Sequence, residues 1–105
     1  MSTTILNIDI KIPKVENMSS PRSGDAVKNQ YIIDIDNMQV FQSYSTVIAV
    51  KRYGQTPFIV LDSSSWDYST TTGKYRNQFL NETKKETLAK INSGEYALAD
   101  LNGRG

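Results

Sequence analysis

The sequence predicts an α+β fold, a mainly antiparallel sheet of about five to six strands with one or two C-terminal helical segments on one face. Short apolar or alternating runs separated by turn residues fill residues 30–61, which is typical of a meander. Helical spacing and a capping box follow after residue 70, and strand character returns at residues 95–101. A length of 105 residues suits a single domain with one modest core.

The N-terminal part predicts one strand and one loop. Apolar and polar residues alternate over residues 4–12, with Leu6, Ile8, Ile10 and Ile12 on one face, and Pro13 ends the pattern. Residues 14–29 contain a cluster of turn formers and predict a long loop, either functional or a flexible connection. We therefore divide the chain into an N-terminal strand and flexible loop (1–28) and an α+β core (29–105).

Four strands are predicted in the middle of the chain, over residues 30–35, 38–44, 46–53 and 58–61. Asp36 and Asn37 form the first turn, and the connections are short enough to favour antiparallel neighbours. Residues 58–61 are continuously apolar, which predicts a central strand covered on both faces.

Two helical segments are predicted next. Tyr75 and Phe79 share a helical face in residues 74–80, and Asn81 is a plausible end. The second segment begins at the capping-box sequence Thr83 to Glu86, with a buried stripe of Leu88 and Ile91 and a C-cap signal at residues 92–94. Residues 95–101 predict a final strand, and residues 102–105 a frayed tail.

Composition narrows the function classes. The net charge is +1, and the chain has no Cys and no His. Disulfides, thiolate metal sites and a Ser-His-Asp triad are thereby excluded. No apolar run approaches the roughly 20 residues that cross a bilayer, and no secretion signal is evident. We expect a cytoplasmic protein that is not an enzyme and has no cofactor, metal or membrane partner.

Residues 63–79 are the most distinctive segment. They are rich in Ser and Thr and contain the candidate partner-binding residues Trp66, Tyr68, Lys74, Tyr75 and Arg76. Bases beside aromatic rings suit single-stranded nucleic acid, because cations meet phosphates and rings stack on bases. The same aromatic residues at helical spacing also suit a buried core. The sequence leaves both interpretations open.

A possible basic patch lies outside that segment, at Lys51, Arg52, Lys84 and Lys85. The lysine pair equally suits a solvated helix face, and Lys51 with Arg52 could protect an edge strand. Asp34 and Asp36 share a strand face, but a hard cation needs more oxygen ligands than these two supply.

Four blocks stand out within about residues 29–102, at residues 29–33, 41–49, 66–80 and 93–96. The third block, WDYS followed by KYR and FL, is the most specific. Through these blocks the chain resembles an uncharacterised family of small bacteriophage-encoded proteins. The resemblance implies a protein made in the cytoplasm of a bacterial host, and it implies no functional residues. By analogy, small phage proteins often modulate host machinery.

We expect a small phage protein that binds a macromolecule, as a modulator or inhibitor of a host protein such as a defence or replication factor. The alternative is a nucleic-acid-binding protein that uses the basic and aromatic surface around residues 66–85. A homo-oligomer is also possible, since many strands in a short chain leave edges to be covered.

Overall fold

The structure, a computed structural model, describes the backbone of residues 2–5 and 8–11 and both backbone and side chains of residues 13–103. Strands β1 (Ser2–Ile5) and β2 (Ile8–Lys11) pair with each other in an antiparallel two-stranded sheet. The other described strands form one six-stranded sheet in chain order. They are β3 (Lys14–Ser19), β4 (Ala26–Ile35), β5 (Met38–Ser43), β6 (Thr46–Arg52), β7 (Phe58–Asp62) and β8 (Ala97–Ala99).

The predicted α+β class is confirmed. Strands β3 to β7 are antiparallel neighbours, and β8 pairs in parallel with β7. A parallel pair needs a long crossover, and two helices supply it, α1 (Thr70–Leu80) and α2 (Lys84–Asn92). No helix in the described part of the chain is long and apolar enough to cross a membrane.

Capping interactions mark both ends of α1 and the start of α2. The Ser69 hydroxyl accepts a hydrogen bond from the backbone N–H of Thr72 at the start of α1, and Asn81 ends that helix with φ of 55°. The predicted capping box of Thr83 and Glu86 is present in full at the start of α2. α1 begins earlier than the predicted residue 74 because the cap lies at Ser69.

The core lies between the sheet and the helices. Phe41, Ile48, Ala49 and Leu61 are fully buried on the sheet side. Their cluster continues into Tyr75 and Phe79 of α1 and reaches Tyr96 before β8. The rings of Phe41 and Phe79 have centroids 5.7 Å apart.

Two N-terminal predictions are wrong. Residues 14–29 are not a loop, because β3 and the beginning of β4 occupy most of them and β3 pairs with β4. The turn formers are confined to residues 20–25, where Ser20 and Asp25 close the connection with a 2.8 Å backbone bond. The single strand predicted for residues 4–12 is also wrong, because residues 2–5 and 8–11 are two separate strands that pair with each other. The predicted common face of Leu6, Ile8, Ile10 and Ile12 lies outside the described side chains.

Three C-terminal predictions also need correction. β7 is next to the end strand β8, and Phe58 is exposed, so β7 is not covered on both faces. Leu88 is 42% exposed, and the fully buried residue of α2 is Thr87. Asn102 does not belong to a frayed tail, because its side chain bonds both the N–H and the C=O of Val47. Residues 104 and 105 lie outside the described part.

Candidate functional site

The two faces of the six-stranded sheet have different surroundings. The face toward the helices, here the inner face, holds Phe41, Ala49 and Leu61, all fully buried. The Ser43 and Thr72 hydroxyls are 3.1 Å apart and link this face to α1. Ile91 of α2 packs on the same core. Alternate residues of each strand point to the opposite side, here the outer face.

A row of apolar residues crosses the outer face from one edge of the sheet to the other. Pairing places the row members next to one another on all six strands. In sheet order they are Val15, Ile33, Val40, Val50, Val60 and Ala97. The four central members keep partial solvent access, and Val15 is 58% exposed. This central row is therefore an apolar stripe that the other side chains of residues 13–103 leave partly exposed to solvent.

Two shorter rows flank the central row. One contains Ile35, Met38, Arg52 and Phe58, and the other contains Asn17, Tyr31, Gln42 and Val47. Arg52 is the one charged residue in the three rows, and its guanidinium lies 5.5 Å from the centroid of the Phe58 ring. The outer face is thus mostly apolar, and its polar and charged side chains, Asn17, Gln42 and Arg52, lie in the flanking rows.

The amino-acid sequences of the strands indicate that the outer face is apolar. Residues 32–33, 47–50 and 58–61 are apolar at consecutive positions, so both faces of the strands carry apolar groups. A sheet covered by helices on one side needs apolar residues on that side alone. The sequence predicts helices on one face of the sheet but not the strand registers that align the apolar residues of the other face, and so the outer face was missed.

The segment of residues 66–76 divides between core and surface. Tyr75 and Arg76 are buried, at 5% and 1% exposure, and Trp66 is half-buried against the core. Tyr68 is 71% exposed, and Lys74 is also exposed. The aromatic and basic residues of this segment therefore do not form one continuous contact surface.

Arg76 explains much of this division. Its guanidinium carbon lies 5.2 Å from the centroid of the Trp66 ring. Its Nη1 donates to the Trp66 carbonyl at 2.7 Å, and its Nη2 donates to the Asn77 side chain at 3.0 Å. Arg76 thus ties the loop before α1 to the helix, and its charge faces protein groups instead of solvent.

Asp67 joins two of the candidate cations. Its carboxylate contacts Lys84 at 2.6 Å and Arg76 at 3.3 Å. The hydrogen bond from Lys84, with a further one from Arg76, lowers the pKa of Asp67 although burial opposes this. Beside this group an open cleft of about 620 Å³ is lined by residues that include Thr70, Lys74 and Lys84.

The proposed basic patch is not one surface. Lys51 and Arg52 are consecutive on β6 and so lie on opposite faces of the sheet. The Lys51 ammonium lies 4.4 Å from the centroid of the Phe79 ring, and burial lowers its pKa. Lys84 and Lys85 are exposed at the start of α2, on the helix side.

Asp34 lies near the end of β4, and Asp36 lies in the turn after it. Asp34 accepts a hydrogen bond from Gln39 at 3.3 Å, and Asp36 is in the turn with φ of 54°. Among residues whose side chains are described, no group of three His, Cys, Asp or Glu could hold a metal ion.

A buried carboxylate fixes the C-terminal helix. Glu82 accepts hydrogen bonds from Lys90 at 2.8 Å, Thr87 at 2.6 Å and Tyr96 at 2.8 Å. Burial disfavours the charge of Glu82, but these donors outweigh it and lower the pKa of Glu82. Burial, with the bond to Glu82, raises the pKa of Tyr96 to about 12. Because these side chains satisfy one another's hydrogen bonds, we interpret the cluster as structural.

Comparison with known protein families finds a match over most of the chain. Residues 13–95 match the family of unknown function DUF8033. The chain belongs to this family. The DUF8033 match begins immediately before β3 and ends before β8, so it contains five of the six sheet strands and both helices. No curated protein and no solved structure matches the chain.

Proposed function

We propose that this DUF8033 protein acts by binding another protein through the outer face of its sheet, and not by catalysis. The observation that carries the proposal is the central row, which is apolar on all six strands and keeps solvent access. Folded monomers rarely expose large contiguous apolar patches unless a partner uses them. The sequence resemblance to bacteriophage proteins supports the further proposal that the partner is a host protein in the bacterial cytoplasm.

The surface favours protein over nucleic acid. Nucleic acid needs several cations on one face because binding neutralises phosphates. Arg52 is the one cation in the three described rows of the outer face, while Arg76 is buried and Lys84 contacts Asp67. Lys74 and Lys84, which line the cleft, and the exposed Tyr68 are the residues that would serve the nucleic-acid alternative.

The test is a pull-down from bacterial lysate with nuclease treatment, using three tagged baits. Wild type is compared with Val40→Lys, which places a charge in the central row, and with Leu88→Lys, which makes the same change at an exposed site on α2. We expect a protein that survives nuclease and is retained by wild type and Leu88→Lys but lost from Val40→Lys.

Two results would contradict this proposal. Equal retention by all three baits would exclude the outer face as the contact surface. Loss of all enrichment after nuclease would favour the nucleic-acid alternative, and salt-titrated binding to an oligonucleotide with Lys74→Glu would then test the cleft.

A further inference from the structure

We propose that the cleft on the helix side of the molecule binds a phosphate group, carried by a small phosphorylated molecule. The cleft, of about 620 Å³, is lined by the loop before α1, the first turns of α1 and the start of α2. The outer face lies on the opposite side of the sheet, so a molecule in the cleft would not compete with a protein bound there.

The cleft has an excess of positive charge. Among its lining side chains the three cations Lys74, Arg76 and Lys84 stand against one carboxylate, that of Asp67, which leaves a net charge of +2. Asp67 already contacts Arg76 and Lys84, whereas Lys74 has no ion-pair partner among residues 13–103. A phosphate monoester carries about −1.5 to −2 charges at neutral pH, so it would balance this excess.

The start of α1 adds backbone donors to the cleft. Thr70 is the first residue of the helix and lines the cleft. The Ser69 hydroxyl accepts the N–H of Thr72. The N–H groups of Thr70 and Thr71 come earlier and have no acceptor within the helix. No acidic residue in the first turn offsets the positive end of the helix dipole, and anions bind at such ends.

Arg76 is a second and independent feature of the cleft. Its side chain lines the cleft although it is only 1% exposed. Its terminal nitrogens donate to Trp66, Asp67 and Asn77, but its Nε has no hydrogen-bond partner among residues 13–103. Buried polar atoms in folded proteins nearly always have partners. A buried guanidinium with an unused donor beside a cleft indicates a site for an acceptor, and a phosphate oxygen has the matching charge.

Gly73 keeps space open next to this guanidinium. A Cβ on residue 73 would lie 3.6 Å from Nη2 and 3.7 Å from Nη1 of Arg76, which are ordinary contact distances. Packing therefore does not require glycine at this position, and glycine is less favourable than alanine inside a helix. Because Gly73 lines the cleft, the missing side chain leaves room beside Arg76 for a bound group.

The size of the cleft favours a phosphate ester over free phosphate. Pockets for small molecules are typically about 300–1,000 Å³, so a cleft of about 620 Å³ has room for more than one phosphate group. Nucleic acid needs cations that follow a chain of phosphates. The cations here converge on a single cleft, which suits one phosphate group.

Isothermal titration calorimetry of the full chain with adenosine monophosphate, and separately with inorganic phosphate, tests the site. We expect saturable binding of one molecule per chain, with a lower Kd for adenosine monophosphate. Lys74→Gln removes an exposed cation from the cleft and should raise this Kd about tenfold. The matched control is Lys85→Gln, which removes an exposed charge of α2 outside the cleft and should leave the Kd unchanged.

Gly73→Ala separates binding from folding. Alanine should keep or raise the midpoint of thermal unfolding, because it favours the helix. Its methyl group narrows the cleft beside Arg76 and should raise the Kd for adenosine monophosphate. A role of Gly73 in folding alone would not weaken binding by a protein that is at least as stable as wild type.

The outcomes distinguish the possible ligands. Equal affinity for adenosine monophosphate and inorganic phosphate, lost in Lys74→Gln, would support the phosphate site and assign it to the free ion. No saturable binding by wild type, or the same Kd in wild type and Lys74→Gln, would overturn the proposal. Tighter binding of a short oligonucleotide, with a Kd that rises steeply with salt, would overturn it in favour of nucleic acid. None of these results depends on the outer face.

Discussion

Glu82 is the residue whose ionisation most clearly supports the fold. Its side chain is 4% exposed, and it accepts hydrogen bonds from residues of α2 and from Tyr96. Hydrogen bonds to a charged group contribute more than neutral ones, and a buried partner left unsatisfied is costly. Three donors directed at one carboxylate therefore depend on that carboxylate being charged.

Replacement of Glu82 by Gln should lower the free energy of unfolding by about 2 kcal/mol. The amide lacks the negative charge to which Lys90, Thr87 and Tyr96 donate their hydrogen bonds. The folded pKa of Glu82 is depressed. Its stabilisation is therefore fully present above its unfolded pKa of about 4.3 and is lost as the pH falls through the folded pKa.

Urea unfolding between pH 7 and pH 2.5 measures this effect. The acid-dependent loss of stability should be smaller in Glu82→Gln than in wild type, with some loss left because the pKa values of Asp62 and Asp67 are also lowered. Glu95→Gln, at an exposed carboxylate, is the control. If Glu82→Gln lost as much stability as wild type between pH 7 and pH 2.5, the pH dependence would not come from Glu82.

At the scale of elements, local chemistry predicts helix ends better than it predicts strands. The capping box of α2 and the end of α1 at Asn81 follow from single residue types, and the structure has both. β3 was missed because its Lys14, Glu16 and Asn17 are exposed at the sheet edge and its Met18 alone is buried. An edge strand with polar residues lacks the alternation that predicts strands.

The candidate site shows the same limit. The sequence places Tyr75 and Phe79 on one helical face but does not show that this face is buried. It contains no local signal for the Val47 and Asn102 contact, which joins residues 55 positions apart. The outer face depends on the registers of six strands, and those registers are set by long-range packing.

Removal of the α2 cap tests an element that was predicted correctly. Thr83→Ala deletes the acceptor for the Glu86 N–H and should lower the free energy of unfolding by about 1 kcal/mol. Lys85→Ala, at an exposed position in the first turn of the same helix, should change it by less than about 0.5 kcal/mol. Chemical denaturation compares the two, and an equal effect of both would argue against the cap.

At the scale of the whole molecule, the sheet extends beyond the part that defines the family. Residues 97–102 follow the DUF8033 match, yet they supply β8 and two side-chain contacts to the rest of the sheet. Asp62 is fully buried and accepts the Leu101 N–H at 2.9 Å, and Asn102 bonds the backbone of Val47. The C-terminal segment therefore closes one end of the sheet.

A chain shortened to residues 1–96 should be less stable by at least roughly 3 kcal/mol, since it loses several hydrogen bonds of about 1 kcal/mol each and leaves Asp62 buried with fewer donors. Thermal and chemical unfolding measure the loss. A chain shortened to residues 1–103 retains all these contacts and is the matched control. Equal stability of the two chains would show that β8 and Asn102 contribute little.

The parallel pairing of β7 with β8 also bears on the order of folding. The antiparallel neighbours are joined by short connections, whereas Val60 meets Ala97 across both helices. Closing a longer loop costs more chain entropy, and contacts distant in sequence form slowly. The hairpins from β3 to β7 should therefore form the folding nucleus, and the docking of β8 should come after the rate-limiting barrier.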